Sequence, residues 1–134
     1  YVYSRVTIPP PVEGEGMNAL TSTPRPLEGQ SPYVVNLYLA YDNDRSGTNM
    51  RLLYNTFGRR IVFVGANTLP DVYEKPIHTL DLAFSQRIYK GLALSLQALN
   101  LLNWRQTYVQ GPADSVFYQT RRGASFILGL SYSL

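Results

Sequence analysis

The sequence predicts an all-β fold in which antiparallel strands form a segment of a transmembrane β-barrel. Apolar and polar residues alternate with a period of two along several runs, whereas helical periodicity extends nowhere beyond a turn or two. The connections between these runs alternate between long and short, so every long connection falls at one end of the predicted sheet. The alternation predicts strands with one apolar face, and the sorted connections favour a membrane barrel.

Six runs carry the alternation and are predicted as strands. In chain order they are "YVYSRVTI" (1–8), "PYVVNLYLAYDN" (32–43), "TNMRLLYN" (48–55), "TLDLAFSQRI" (79–88), "GLALSLQAL" (91–99) and "SFILGLSYSL" (125–134). The run at 32–43 shows the pattern: one face carries Tyr33, Val35, Leu37, Leu39 and Tyr41, and the other carries Val34, Asn36, Tyr38, Ala40 and Asp42. Each such strand is therefore predicted to have one apolar and one mostly polar side.

The connections are predicted from their proline content and their charge. Residues 9–31, 58–76 and 104–123 form long connections, and 42–47 and 89–91 form short ones. All nine prolines lie in or at the edge of the long connections, where a missing N–H breaks no strand pairing. Most charged residues also lie in connections, which leaves the predicted strands nearly uncharged.

The composition of the 134 residues excludes several classes of function. With 45% hydrophobic residues the chain is expected to be a folded protein. The sequence contains no run of 18 or more apolar residues, so no membrane-spanning helix is predicted. Zero cysteines remove disulfides, zinc clusters and thiol nucleophiles, and His78, the single histidine, is predicted to be a plain surface residue. No carboxylate pair, nucleophile motif, phosphate loop or basic helix occurs, so neither an enzyme, a cofactor site nor nucleic-acid binding is expected.

Two interpretations of the alternation remain open at this point. A soluble sandwich or lipocalin-like barrel would bury its apolar face and expose its polar face. The polar faces, however, carry Ser, Thr, Asn, Gln, Gly and Ala with hardly any Lys or Glu, although solvent-facing strands normally use charge against edge-to-edge pairing. Tyr33 and Tyr41 bracket one apolar face, and eight residues at ~3.3 Å each, tilted by about 40°, span roughly 20 Å, close to the ~25 Å apolar band of membrane barrels. These features favour the membrane.

Six strands are too few for a closed transmembrane barrel, since even the smallest have eight. We therefore expect the chain to be part of a longer polypeptide, an expectation that the absence of an initiator Met at residue 1 supports.

Several segments resemble a known family. "RPLEGQSPYVVN" (25–36), "LLYNTFGRRI" (52–61), "LPDVYEKP" (69–76), "NLLN" (100–103) and "GASFILGLSYSL" (123–134) resemble, in this order, the C-terminal barrel of TonB-dependent outer-membrane receptors of the group common in Bacteroidota. The first segment is the specific one, whereas "NLLN" and the terminal alternation are shared more widely among outer-membrane barrels. The matches extend over residues 25–134.

The resemblance implies that residues 1–134 are the last six strands of a 22-stranded outer-membrane barrel. It also implies an N-terminal plug and Ton box outside this chain, and energy-coupled import of a scarce ligand such as a siderophore, vitamin, glycan or peptide. The partners it implies are outer-membrane lipid and lipopolysaccharide, the inner-membrane TonB complex, the barrel-assembly machinery and, as a further candidate, a lipoprotein or another outer-membrane protein. Gly129, Tyr132 and Leu134 match the spacing of the assembly signal, although such barrels usually end in an aromatic residue.

Candidate functional residues follow from the predicted faces. Six polar-face side chains are candidates for lining the lumen: Asn36, Tyr38, Asn49, Arg51, Asp81 and Arg87. Their charged members equally suit a structural ladder of polar contacts to neighbouring strands or to the plug. Tyr33, Tyr41 and Tyr132 are predicted to belong to an aromatic girdle.

Residues 104–120, within the connection at 104–123, are a candidate for extracellular recognition. Trp104, Arg105, Tyr108 and Phe117 give them the aromatic and guanidinium content of a binding surface, and interfacial anchoring explains the same aromatics. Arg59 and Arg60 could contact an anionic ligand or lipopolysaccharide phosphates, although two arginines are also ordinary loop content.

Two other functions remain open. One is a structural, adhesion or assembly-partner barrel without transport, and the other is a soluble β-domain, which would stay soluble without detergent.

Overall fold

The computed structural model describes residues 3–7, 24–66 and 68–133, and this part of the chain is all-β, with nine strands and no helix. The strands are β1 (Val34–Asn43), β2 (Thr48–Phe57), β3 (Arg60–Phe63), β4 (Val72–Glu74), β5 (Ile77–Tyr89), β6 (Leu92–Leu99), β7 (Gln106–Gln110), β8 (Ser115–Thr120) and β9 (Ser125–Tyr132). They form two antiparallel sheets in two compact units, and neither sheet closes into a barrel. The predicted all-β antiparallel class is therefore confirmed.

Among the described residues, no helix has the length and apolar character needed to cross a membrane.

The first unit holds the five-stranded sheet and comprises residues 35–56, 78–104 and 121–134. Its strand order is β1-β2-β5-β6-β9, with β1 and β9 at the edges. These strands correspond to five of the six predicted ones. Of the sixth, predicted at 1–8, the described residues 3–7 contain only an isolated bridge between Val6 and Arg25, and the other positions lie outside the described residues.

Tight turns join β1 to β2 and β5 to β6 in this sheet. Gly47 has a φ of 66°, and its carbonyl accepts a hydrogen bond from the Arg87 amide at 2.9 Å. A Cβ at position 47 would lie 2.5 Å from the Cβ of Arg87, so the turn requires glycine there. Gln86 secures the same turn, because its Nε2 donates to the Ser46 carbonyl at 2.7 Å and its Oε1 accepts from the Thr48 hydroxyl at 2.6 Å.

The "NLLN" segment (100–103) is an ordered turn after β6. Both of its asparagines have positive φ, 55° and 43°, a conformation that asparagine tolerates better than most residues. The Asn100 amide donates to Asp81 at 2.7 Å, and its side chain donates to the Gly123 carbonyl at 2.6 Å. Asn103 in turn accepts from the Gly123 amide at 3.2 Å. The segment thereby ties the end of β6 to β5 and to the residues that lead into β9.

The second unit holds the four-stranded sheet and comprises residues 1–34, 57–77 and 105–120. Its strand order is β3-β4-β7-β8, all antiparallel. Ile61, Val72 and Val109 are buried from three successive strands and form its apolar core. The prediction that 58–76 and 104–123 are long connections was wrong, because both segments contain paired strands.

Hydrogen bonds attach the segment before β1 to this second sheet. The Gly29 amide donates to the Ile61 carbonyl at 2.7 Å, and the Gly58 amide donates to the Tyr33 carbonyl at 3.0 Å. The buried Ser31 hydroxyl lies 2.7 Å from the Tyr33 carbonyl and 3.0 Å from the Gly58 carbonyl. The polar "EGQSP" stretch is therefore part of a packed unit. Its backbone and its serine donate hydrogen bonds to the carbonyls of Ile61 and Gly58.

Candidate functional site

The polar face of the five-stranded sheet is the surface on which the predicted lumen-lining residues lie. Ser85 pairs with Ser95, and Ser95 pairs with Gly129, so these positions share one face across β5, β6 and β9. The Asn49 side chain lies 3.4 Å from the Ser85 hydroxyl, so Asn49 of β2 lies on the same face as Ser85. The alternation predicted from the sequence is thus confirmed across the middle of the sheet.

A depression of about 300 Å³ lies in this polar face. Asn49, Arg51, Ser85, Ser95 and Gln97 supply its polar lining. Arg51 is the one charged side chain among the described residues that line it, and it makes no ion pair within the described part of the chain. The surface therefore presents small hydrogen-bonding groups around a single positive charge, which suits contact with a polar or anionic solute.

The other predicted lumen-lining residues lie outside the depression. Asn36 and Asn55 contact each other through their side-chain amides, and Tyr38 is exposed on the same strand as Asn36. Asp81 accepts the Asn100 amide, and the side chain of Arg87 packs over Gly47. Asp81 and Arg87 thus have structural contacts elsewhere on β5, whereas Asn49 and Arg51 lie together in the depression. Sequence reasoning had not singled out Ser85, Ser95 and Gln97, because only the register shows that they surround Arg51.

The opposite face of this sheet is largely apolar and is open on its edge strands. Leu82 pairs with Ala98, Leu96 with Leu128, and Leu92 with Tyr132, so the apolar positions form one continuous surface. On the edge strands this surface is open: Leu39 is 67% exposed and Leu128 is 72% exposed. Monomeric soluble proteins rarely leave apolar surfaces of this kind uncovered. An open apolar face of this kind is typical of a surface that lipid or another molecule covers.

The predicted girdle tyrosines are all exposed, Tyr41 and Tyr132 in the five-stranded unit and Tyr33 in the four-stranded unit. Of the predicted assembly signal, Leu134 lies outside the described residues. Gly129 sits so close to β6 that a Cβ there would be 2.5 Å from the Ser95 hydroxyl. The glycine thus permits close approach of the Ser95 side chain in the polar face.

The predicted recognition residues divide between the two units. In the five-stranded unit, Trp104 packs edge-on against His78 with ring centroids 4.5 Å apart, and His78 Nδ1 lies 2.6 Å from the Tyr54 hydroxyl. His78 is therefore part of an aromatic cluster and not an isolated surface residue. In the four-stranded unit, Arg105 and Phe117 are exposed, whereas Tyr108 packs against Tyr118 with centroids 5.9 Å apart.

Two charge clusters in the four-stranded unit were not predicted. In the first, Glu74 is almost fully buried and accepts hydrogen bonds from Arg60 Nε at 2.7 Å and Gln106 Nε2 at 2.6 Å. In the second, Asp114 lies 2.9 Å from Arg59 and 3.4 Å from Lys75. The sequence did contain a signal for the hairpin that carries Asp114. Two short β-prone runs, "QTYVQ" and "SVFYQT", flank the turn sequence "GPAD", a pattern typical of a hairpin.

The second cluster has consequences for the ionisation of its members. Desolvation alone would raise the pKa of Asp114, but the hydrogen bond from Lys75 and the positive charges of Arg59 and Lys75 outweigh it and lower the pKa from the ordinary 3.8. Burial raises the pKa of Tyr73, and the charge of Asp71 adds to that effect. The guanidinium of Arg59 lies 4.1 Å from the centre of the Tyr73 ring.

Replacing Asp114 by asparagine is expected to destabilise the chain near neutral pH and to have little effect in acid. Because the folded-state pKa is depressed, the carboxylate stabilises the fold above its unfolded pKa, and this stabilisation is lost as the pH falls through 3.8 toward the lower folded value. Asparagine keeps the turn, since it tolerates the φ of 52° at this position. Urea titrations at about pH 6 and about pH 3 measure the difference between wild type and variant. A difference that persists in acid would contradict the prediction, and Asp44→Asn, which removes a carboxylate without an ion pair among the described residues, is the control.

No group of three His, Cys, Asp or Glu side chains able to hold a metal ion occurs in the described ranges. Comparison of the chain with protein-family models, curated proteins and solved structures found no match.

Proposed function

We propose that this chain is the C-terminal part of the barrel of a TonB-dependent outer-membrane transporter. In this function the apolar face of the five-stranded sheet borders lipid, and the polar face lines the path of the imported ligand. Import is gated and energy-coupled and involves no covalent chemistry. The ligand is a scarce solute of the siderophore, vitamin, glycan or peptide classes.

The observation that carries the proposal is the separation of the two faces of the five-stranded sheet. The apolar face carries mostly leucine and aromatic side chains and is open on the edge strands, and the depression in the polar face is lined by small uncharged polar side chains around Arg51. In a soluble protein, a sheet with one solvent-exposed face packs its apolar face against the core and carries charged residues on the exposed face. In a membrane barrel the apolar face points outward and is covered by lipid, and the polar face lines the lumen.

The five segments that resemble the receptor family give the proposal its second support. In the structure, "NLLN" forms an ordered turn, "EGQSP" packs against the start of β3, and Arg60 of "FGRRI" pairs with Glu74 of "PDVYE". The resembling segments therefore contact one another within each unit, as expected of residues that share a structural role.

Cysteine labelling tests the placement of the faces, because residues 1–134 contain no native cysteine and any cysteine elsewhere in the full-length protein is first replaced by serine. Single cysteines replace Leu39 on the apolar face and its neighbour Tyr38 on the polar face, in the full-length protein in outer membranes. A fluorophore at position 39 is expected to be quenched by lipids with brominated acyl chains, and one at position 38 is expected to resist them. Equal quenching at both positions would contradict the lipid-facing assignment.

Transport is tested separately from membrane placement. A Ton box and plug encoded upstream of residue 1, together with ligand uptake that stops when the proton gradient is dissipated, support the transporter. A barrel whose faces label as expected but which lacks both features is the structural, adhesion or assembly-partner protein instead.

A further inference from the structure

The four-stranded unit contains a cavity of about 210 Å³ that the proposed transport path does not use. Its apolar walls are formed by Tyr3 and Tyr73 together with Ile61 and the rings of Pro26 and Pro32. Aromatic and proline rings on the walls of a small cavity provide flat surfaces against which another ring can pack.

The walls of this cavity are fixed by hydrogen bonds. The segment 3–7 is attached by a backbone bridge between Val6 and Arg25, and the Ser4 hydroxyl accepts the Leu27 amide at 3.2 Å. The Gly29 amide donates to the Ile61 carbonyl at 2.7 Å. The cavity is therefore formed before any ligand arrives, which lowers the entropy lost on binding.

Gln30 supplies a polar atom without a partner in the cavity lining. Its side-chain Oε1 is shielded from solvent and accepts no hydrogen bond from any described residue. An unsatisfied buried acceptor destabilises the folded state. Such an atom is rare in folded proteins and could accept a hydrogen bond from a bound ligand.

Arg59 and Arg60 supply donors at the same cavity. Arg59 uses Nη2 in its ion pair with Asp114, and Arg60 uses Nε in its ion pair with Glu74. Each guanidinium also packs on an aromatic ring, Arg59 on Tyr73 and Arg60 on Phe57, which fixes its orientation. A guanidinium has five N–H groups, so each arginine retains donors for a further carboxylate.

We propose that this cavity binds a small ring-bearing carboxylic acid that also carries a hydroxyl or N–H group. The ring packs between the Tyr3 and Tyr73 walls, the carboxylate accepts hydrogen bonds from Arg59 and Arg60, and the donor group satisfies Gln30 Oε1. Because all of these residues belong to the four-stranded unit, the inference does not rest on the proposed transport function.

Binding is tested by saturation-transfer NMR and calorimetry on the full-length protein purified in detergent. The probes are 4-hydroxybenzoate and glucuronate, each compared with its uncharged counterpart, phenol or methyl glucoside. At least one acid is expected to bind in the millimolar range or tighter, and its counterpart at least about tenfold more weakly, since a charge-assisted hydrogen bond contributes about that factor. Whether the aromatic acid or the sugar acid binds identifies the ring.

Gln30→Leu separates a binding role from a structural one. Without ligand, this variant is expected to be at least as stable as wild type because it removes an unpartnered acceptor. Its affinity for the acid is expected to fall at least about fivefold. Gln119→Leu removes an exposed glutamine of the same unit, whose Nε2 bonds the Thr107 hydroxyl, and is expected to leave the affinity unchanged. The proposal is overturned if neither acid binds at about 10 mM, if the uncharged counterparts bind as tightly, or if Gln30→Leu binds as well as wild type.

Discussion

Replacing Glu74 by alanine is expected to destabilise the four-stranded unit by about 3 kcal/mol. The Glu74 side chain is 1% exposed and accepts hydrogen bonds from Arg60 and Gln106. Its removal leaves Arg60, which is 34% exposed, without its carboxylate and opens a cavity beside the sheet. Breaking a buried ion pair from one side costs about 3–5 kcal/mol, and the partial exposure of Arg60 places the expected value at the lower end.

Hydrogen exchange measured for individual peptides shows whether the destabilisation is confined to the four-stranded unit. Amides of β3, β4 and β7 are expected to lose protection in Glu74→Ala, whereas those of β6 and β9 keep it, because the two groups of strands belong to different sheets. Glu28→Ala removes an exposed carboxylate of the same unit and is the control. Equal protection in the two variants would mean that the Arg60–Glu74 contact does not hold the unit together.

The five-stranded sheet was predictable because its strands are long. A run of eight to ten residues shows the period-two pattern four or five times, as in β6 and β9, and the alternation also fixes which residues share a face. The short turns were predictable for the same reason, since a break of three to six residues between two long alternating runs leaves little room for another structure.

The four-stranded sheet was missed because its strands are short and lie beside prolines. β4 has three residues, Val72–Glu74, too few to show any period, and Pro70 and Pro76 stand just outside it. A proline at that distance removes no hydrogen bond from the ladder, so its presence did not exclude a strand. The burial of Glu74 was equally hidden, because a glutamate between prolines is normally a solvated loop residue. Its hydrogen bonds with Arg60 and Gln106, which make burial favourable, are visible only in the structure.

The depression around Arg51 was predictable in part. Alternation placed Asn49 and Arg51 on a polar face, but Ser85, Ser95 and Gln97 become their neighbours only through the pairing of β2, β5 and β6. The register of paired strands depends on turn geometry and on the packing of both faces, and the sequence of a single strand determines neither.

Two adjacent residues of β9 test the membrane assignment by substitution with arginine. Leu128 pairs with Leu96 on the apolar face, and Ile127 pairs with Gln97 on the polar face. Both side chains are exposed, 72% and 53%, so in a soluble sheet an arginine would be tolerated at either position. In a barrel, Leu128→Arg places a charge in lipid at a cost of about 2–4 kcal/mol near the bilayer midplane, whereas Ile127→Arg places it in the lumen.

The expected result is therefore an asymmetry between neighbours in the same strand. In outer membranes of cells that express the full-length protein, Leu128→Arg should accumulate to less than roughly a tenth of the wild-type level, since 2–4 kcal/mol corresponds to a factor of about 30 or more. Ile127→Arg should accumulate normally. Leu39→Arg and Tyr38→Arg repeat the comparison at the opposite edge strand, where Leu39 lies on the apolar face. If all four variants accumulate alike, the apolar face is covered by protein or solvent and not by lipid; if Ile127→Arg and Tyr38→Arg fail instead, the two faces are assigned the wrong way round.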